Sequence, residues 1–126
     1  MTDENKMWFD DLVKKYPRLF KSYKWIECGE GWSTILDHAF YLIDCYLDRM
    51  LEGDREIFEI DVVKEKFGRL RIGTTIHDYY ISGVIDMAES MSGSTCEDCG
   101  MPGKRRSGGW IRTLCDKCYN IKEDNV

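Results

Sequence analysis

A chain of 126 residues, 43% hydrophobic, is enough for one domain, or for a core of about ninety residues carrying a small stapled appendage. It contains no apolar run of roughly eighteen residues, the minimum for a transmembrane helix. The formal net charge of -5 opposes bulk nucleic-acid binding, and the acidity is N-terminal: 12 Lys/Arg stand against 18 Asp/Glu in residues 1–92, and 6 against 5 in residues 93–126.

Met1 to Asp11 shows no basic, apolar and small-residue succession of an export signal, so the expectation is a protein of the cytoplasm. Residues 6–15 read as a short amphipathic helix with Met7, Trp8, Leu12 and Val13 on one face, stopped at Pro17. Cys28-Gly-Glu-Gly then punctuates the approach to the clearest helix, Ser33 to Leu51, with Ser33 as N-cap and Gly53 as terminator. On its wheel Ile35, Leu36, Ala39, Phe40, Leu42, Ile43, Tyr46, Leu47 and Met50 fill an apolar arc. Asp37, Tyr41, Asp44 and Asp48 line up opposite it.

Between residues 57 and 76 the period changes to two. Phe58, Ile60 and Val62 alternate with Glu59, Asp61 and Val63, the turn falls at Lys64-Glu-Lys-Phe-Gly, and Leu70, Ile72 and Ile76 resume the apolar face of a β-hairpin. That pattern puts Arg69 and Arg71 on the face of Glu59 and Asp61, where opposite charges would support the pairing. A third helix, Tyr79 to Met91, has Asp78 as N-cap, Ile81, Val84, Ile85, Ala88 and Met91 inward, and Gly93 as its end.

Cys96, Cys99, Cys115 and Cys118 follow with the spacing C-x2-C-x15-C-x2-C. Each C-x2-C pair turns two sulfurs toward one ion, and the fifteen intervening residues return the second pair to face the first. The expectation is one structural Zn2+ held by all four thiolates, since a catalytic zinc keeps a position open. An iron centre and disulfides are the alternatives, and a reducing compartment disfavours the latter. Filling the site would take the charge from -5 to about -7, because four thiolates and one Zn2+ add -4 + 2 = -2. Gly100 completes a knuckle after Cys99, a polar turn spans Met101 to Gly109, Trp110 to Leu114 forms a strand, and Cys118 opens a last helical turn, the order of a treble clef. Cys28 and Cys45 lie apart and read as buried or half-buried thiols. The fold class is therefore α+β: a small antiparallel hairpin packed on helices in an acidic core, residues 1–93, with a four-cysteine zinc module, residues 94–126.

The segments Val63-Lys-Glu-Lys-Phe-Gly-Arg-Leu-Arg, Ala88-Glu-Ser-Met-Ser, Thr95-Cys-Glu-Asp-Cys-Gly-Met-Pro-Gly and Gly109-Trp-Ile-Arg-Thr-Leu-Cys-Asp-Lys-Cys together resemble a widespread family of small phage and prophage proteins. The resemblance covers roughly residues 57–118. It implies a phage-borne origin and action in the cytoplasm of a bacterial host. Some small acidic phage proteins of this general kind are anti-CRISPR inhibitors.

Two binding functions compete. In the first, the stripe of Asp37, Tyr41, Asp44 and Asp48, with Asp10 and Asp11, docks on the basic surface of a defence effector such as the Cas9 nuclease; its bland counterpart is a solvated helix face. In the second, Lys104, Arg105, Arg106 and Arg112 around Trp110, with Lys64, Lys66, Arg69 and Arg71 at the hairpin, hold nucleic acid. Against the second, these cations could neutralise the thiolates and Trp110 could cap the zinc core, so direct nucleic-acid binding is expected to be weak. Catalysis has no motif in its favour: no phosphate loop, nucleophile elbow or H-E-x-x-H occurs, and neither His38 nor His77 pairs with a nucleophile. The expectation is a protein that is not an enzyme. A virion or assembly component is a further alternative.

Overall fold

The computed structural model describes residues 7–22 and 26–124, with side chains through residue 121. Helix α1 (Met7–Lys15) leads through a 3-10 turn at Pro17–Leu19 to a two-residue strand, β1 (Ile26–Glu27). A second 3-10 turn, Glu30–Trp32, runs into α2 (Ser33–Leu47), followed by the short α3 (Glu52–Ile57). The hairpin β2 (Ile60–Lys66) and β3 (Arg69–Thr74) precedes α4 (Tyr79–Ser92). A second hairpin, β4 (Lys104–Arg106) and β5 (Arg112–Leu114), and the helix α5 (Asp116–Asp124) complete the described chain. Strand β1 pairs parallel with β2 and β3 pairs antiparallel with it, giving a three-stranded sheet beside the two-stranded β4–β5 sheet. The protein is thus α+β. No helix of the described residues is long and apolar enough to cross a membrane.

Helix α2 is the central element because it buries Ile35, Leu36, Ala39, Phe40, Ile43 and Leu47, six of the nine residues of the arc read from the sequence; Tyr46 and Met50 are partly buried, and Leu42, expected inward, is exposed. The ring of Phe40 meets Phe20 at 5.2 Å and Phe9 at 6.4 Å, both edge on, the arrangement the ring quadrupoles favour. Truncating a ring as fully enclosed as Phe40 to alanine costs about 3–5 kcal/mol. In α1 the inward residues are Phe9 and Leu12, with Trp8 and Val13 partly covered, while Met7 is exposed. The predicted face was rotated by one position, and residue 6 lies outside the described residues.

Helix α2 ends earlier than its pattern suggested. Arg49 N–H donates to the Tyr46 carbonyl (2.8 Å) and Met50 N–H to that of Leu47 (3.1 Å), so the last turn tightens to i→i+3 bonds. Leu51 is then extended and Gly53 lies inside α3 instead of ending α2. Ser33 is the first helical residue, and no side chain caps this N-terminus. The cap on α4 is as read: the Asp78 carboxylate accepts from Tyr80 N–H (2.8 Å) and Ile81 N–H (3.1 Å), and from the Tyr46 hydroxyl (2.9 Å).

The hairpin departs from simple alternation. Its register slips between Ile60↔Thr74 and Val62↔Gly73, a bulge that sets one extra residue, Asp61, into β2. Ile60 and Val63 therefore face the core, and Val62 turns outward. Arg69 and Arg71 share the outward face with Glu59 and Asp61, as read from the sequence, but the residues directly opposite them are Lys66 and Lys64, because the two-residue turn at Phe67 and Gly68 fixes the pairing from the other end. The outer edge of β3 is closed by α4: Ser92 Oγ accepts from Leu70 N–H (2.9 Å) and Glu89 Oε2 from Ile72 N–H (3.1 Å). Ser92 is fully buried for this purpose, and Met91, expected inward, is exposed.

Candidate metal centre

The strand bridge Thr95↔Pro102 closes a knuckle around the first cysteine pair. Cys96 N–H donates to Met101 O (2.7 Å) and Gly100 N–H to Cys96 O (2.9 Å). Gly100 takes φ +83, and a Cβ there would lie 3.1 Å from the Gly31 carbonyl oxygen, so both the turn and the close approach require glycine. Cys115 leaves the end of β5 and Cys118 rides in the first turn of α5. Knuckle, hairpin and helix deliver the ligands in that order. The stretch read as a polar turn contains β4, whose Arg106 donates to the Leu114 carbonyl just before Cys115.

The four sulfurs lie within 4.8 Å of one another, and those of Cys99 and Cys115 are 3.6 Å apart. Four sulfurs bound to zinc at about 2.3 Å sit about 3.8 Å from each other, so the constellation fits one tetrahedral Zn2+ with no open position. Burial pushes the Cys96 thiol up, yet the backbone amides of Cys115, Cys99 and Asp98 outweigh it and bring the group to about 7. Burial, with the thiols of Cys115, Cys96 and Cys99 beside it, pushes Cys118 up. Cys99 is also raised: the Met101 amide lowers it, but burial and the neighbouring thiols prevail. Four thiols this close cannot all ionise unaided, and a divalent cation supplies the charge that lets them.

The four-cysteine segment is built into the core. Gly31 N–H donates to Glu97 O (2.7 Å), Gly29 N–H to Glu97 Oε2 (2.9 Å), and the enclosed Trp32 indole N–H to Thr95 O (2.9 Å). A Cβ on Gly31 would come within 2.2 Å of Cys96 O. The Cys28-Gly-Glu-Gly-Trp segment, read as punctuation, is the seat of the knuckle. Glu97 is buried, and its carboxylate pairs with Arg112 at 3.0 Å, while Arg112 also reaches Asp98 at 2.8 Å. Burial raises the Glu97 carboxyl above the usual range, with Arg112 and the Gly29 amide holding it back. On the other side Thr113 Oγ1 donates to Gly68 O (2.5 Å), tying β5 to the hairpin turn. These bonds cross the predicted boundary between residues 93 and 94.

The acidic stripe is clasped by its own chain. Asp37 accepts from Lys15 (3.1 Å) and from the Tyr16 hydroxyl (2.5 Å). Arg18 bridges Asp44 through Nε (3.1 Å) and Asp48 through Nη1 (2.8 Å). The hydroxyl of Tyr16, then Lys15, hold Asp37 below the usual carboxylate range against its partial burial. Tyr41 stays exposed, and so does Cys45, neither buried nor half-buried as expected, because α2 buries the opposite side. Cys28 is half-buried, as expected.

The basic set divides in two. Arg106 donates to Leu114 O (3.1 Å) and Asp116 (2.7 Å) and lies 4.4 Å over the Tyr119 ring; with Arg112 in its buried pair, both act within the fold. Lys104, Arg105 and Trp110 are exposed. Trp110 lies across a groove from Phe67 of the hairpin turn, with Glu65, Lys66, Gly109 and Ile111 completing the walls. Of the two basic clusters read from the sequence, this groove brings together Trp110 of one and Lys66 of the other. Comparisons with family models, with curated proteins and with solved structures found no match to this chain.

Proposed function

We propose that the protein is a non-catalytic binding module organised around one structural zinc ion, and that it inhibits a bacterial defence nuclease of the Cas9 type by docking on it. The carrying observation is the convergence of the four sulfurs within 4.8 Å, which fills a tetrahedral sphere and leaves the metal no site for substrate. The partner is supported by the resemblance to phage proteins and by the net charge of -5, which favours encounter with a lysine- and arginine-lined channel. With Asp37, Asp44 and Asp48 engaged by Lys15, Tyr16 and Arg18, the contact falls to exposed Tyr41 on α2 and exposed Asp10 and Asp11 on α1.

Purified protein mixed with Cas9 is expected to co-elute with it and to slow DNA binding and cleavage. Tyr41→Ala combined with Asp10→Lys and Asp11→Lys weakens the complex while zinc content and melting temperature hold. If Cas9 neither co-elutes nor slows, this partner is wrong.

A further inference from the structure

The groove between Phe67 and Trp110 carries features the inhibitory reading does not use. Phe67 is an aromatic residue at φ 54, a left-handed conformation in which a bulky side chain is an outlier, and it is 60% exposed. Folding gains little from its ring, since most of the ring is in water. Held backbone strain of this kind concentrates at binding and catalytic sites. Trp110, 74% exposed, is supported on one side by the Arg112 guanidinium, 5.3 Å from its ring centre, and that guanidinium is itself fixed by Glu97 and Asp98. The indole is a presented surface.

The adjoining face of the sheet is basic. Lys64 stands directly opposite Arg71, and Lys66 opposite Arg69. Like charges in such positions destabilise a sheet, and this chain places two pairs side by side although it is acidic as a whole. Glu89 neutralises Arg71 at 3.6 Å, and Arg69 reaches only the Glu89 backbone carbonyl (3.3 Å). Lys66 lies 5.9 Å from the Phe67 ring centre. Glu65, the acidic wall, spends its carboxylate on Gly68 N–H (2.7 Å), and Glu27 neighbours Lys64 in the register of β1. Lys64, Lys66 and Arg69 remain without a carboxylate in ion-pair reach among the described residues. The groove holds about 320 Å³; a cavity of about 150 Å³ accepts a benzene ring, so there is room for about two planar rings.

We propose that this groove binds single-stranded nucleic acid, with Phe67 and Trp110 stacking on unpaired bases and Lys64, Lys66 and Arg69 contacting the phosphates. Aromatic platforms beside a basic track are what unpaired strands require. A duplex keeps its base faces stacked and offers neither ring a surface.

The test is fluorescence anisotropy of a labelled oligonucleotide of about a dozen nucleotides, single-stranded DNA or RNA against the matching duplex, with the zinc-loaded full chain. Single strands are expected to bind and duplex to bind more weakly. With three phosphate contacts the affinity falls roughly 20-fold between about 50 and 200 mM salt. Trp110→Ala and Phe67→Gly each weaken binding by about tenfold or more. Phe67→Gly leaves zinc content unchanged and melts no lower than the parent, because glycine relieves the positive φ; a residue kept for packing would not behave so. Lys64→Glu with Lys66→Glu leaves Arg69 as the one remaining contact and cuts the salt effect over that range to roughly 3-fold. The proposal is overturned if single strands do not bind at the lower salt, if the aromatic variants bind as the parent does, or if duplex is preferred. It is also overturned if Trp110→Ala abolishes capture of a protein while no oligonucleotide binds, which makes the groove a protein-docking surface. Cas9 inhibition is scored separately with the same variants, so either reading can fail alone.

Discussion

Thr113 Oγ1 donates a hydrogen bond of 2.5 Å to the carbonyl oxygen of Gly68, inside the fold and 45 residues away in sequence. The turn of the first hairpin is thereby anchored to the strand that presents Cys115. A Cβ on Gly68 would sit 3.4 Å from Arg112, Ile111 and Thr113, so the two segments touch along their length. Thr113→Val keeps the shape and removes the donor. With the Gly68 carbonyl left unmet, the expected loss is about 1–3 kcal/mol, read as a lower urea midpoint. The chemical shifts of Phe67 and Gly68 should move in the same variant.

Zinc content follows from the thiolate geometry. Protein prepared under reductant is expected to carry one zinc per chain, and serine at Cys96, Cys99, Cys115 or Cys118 lowers both metal content and melting temperature. Cys28→Ser and Cys45→Ser leave the metal in place, since both lie outside the constellation. Elemental analysis and a thermal melt read the result. Fresh protein without zinc or iron would sink the assignment.

The buried Glu97–Arg112 pair makes an asymmetric prediction. Arg112→Met leaves an ionised carboxylate without its cation, a change worth about 3–5 kcal/mol in buried pairs, while Arg112→Met with Glu97→Gln recovers part of the loss. Burial already raises the Glu97 carboxyl, and removing Arg112 raises it further. A carboxyl raised in the folded state gives stability that is present below its unfolded value and is lost as pH rises through the folded one. The Arg112→Met defect is therefore largest at neutral pH and narrows on acidification, measured against the parent by chemical denaturation.

Asp37 behaves in the opposite sense. Its carboxyl is held down first by the Tyr16 hydroxyl, against burial, and then by Lys15. Its contribution is present above the unfolded value, about 3.9, and is lost as pH falls through the lower folded value. Asp37→Asn should cost on the order of 1 kcal/mol above about pH 5, with the gap to the parent closing below about pH 4. Charge reversal across Asp37, Asp44 and Asp48 lowers the melting temperature as well, because Lys15 and Arg18 lose their partners. A gap independent of pH would refute the clasp.

What the sequence disclosed was local. The cysteine spacing, the Asp78 cap, the turn at Gly68 and the arc from Ile35 to Leu47 each depend on residues within a few turns of one another, and each stands in the fold. The bulge at Asp61 escaped alternation because Val62 and Val63 are equally apolar, and only the pairing with Gly73 and Ile72 decides between them. Gly29 and Gly31 looked like loop punctuation because their reason, the backbone of Cys96 and Glu97, lies far along the chain. Arg112 looked like a surface cation because its partner, Glu97, sits inside the cysteine knuckle, fifteen residues away. The clasp of Asp37, Asp44 and Asp48 depends on how α1 returns across α2, which no periodicity records.

The seat of the knuckle has a consequence for synthesis. Gly29 N–H, Gly31 N–H and the Trp32 indole all find their acceptors at Thr95 and Glu97. While the ribosome has made only the first ninety residues or so, α2 begins beside three donors that nothing nearby can satisfy, and each such group costs about 1–3 kcal/mol if buried. Until Thr95 and Glu97 are made these donors have no acceptor in the chain and stay on water, so the expectation is that the part of the core around Trp32 closes last. If the four thiolates hold a metal, its capture needs Cys118, so metal binding and the covering of Trp32 are expected to fall together at the end of synthesis.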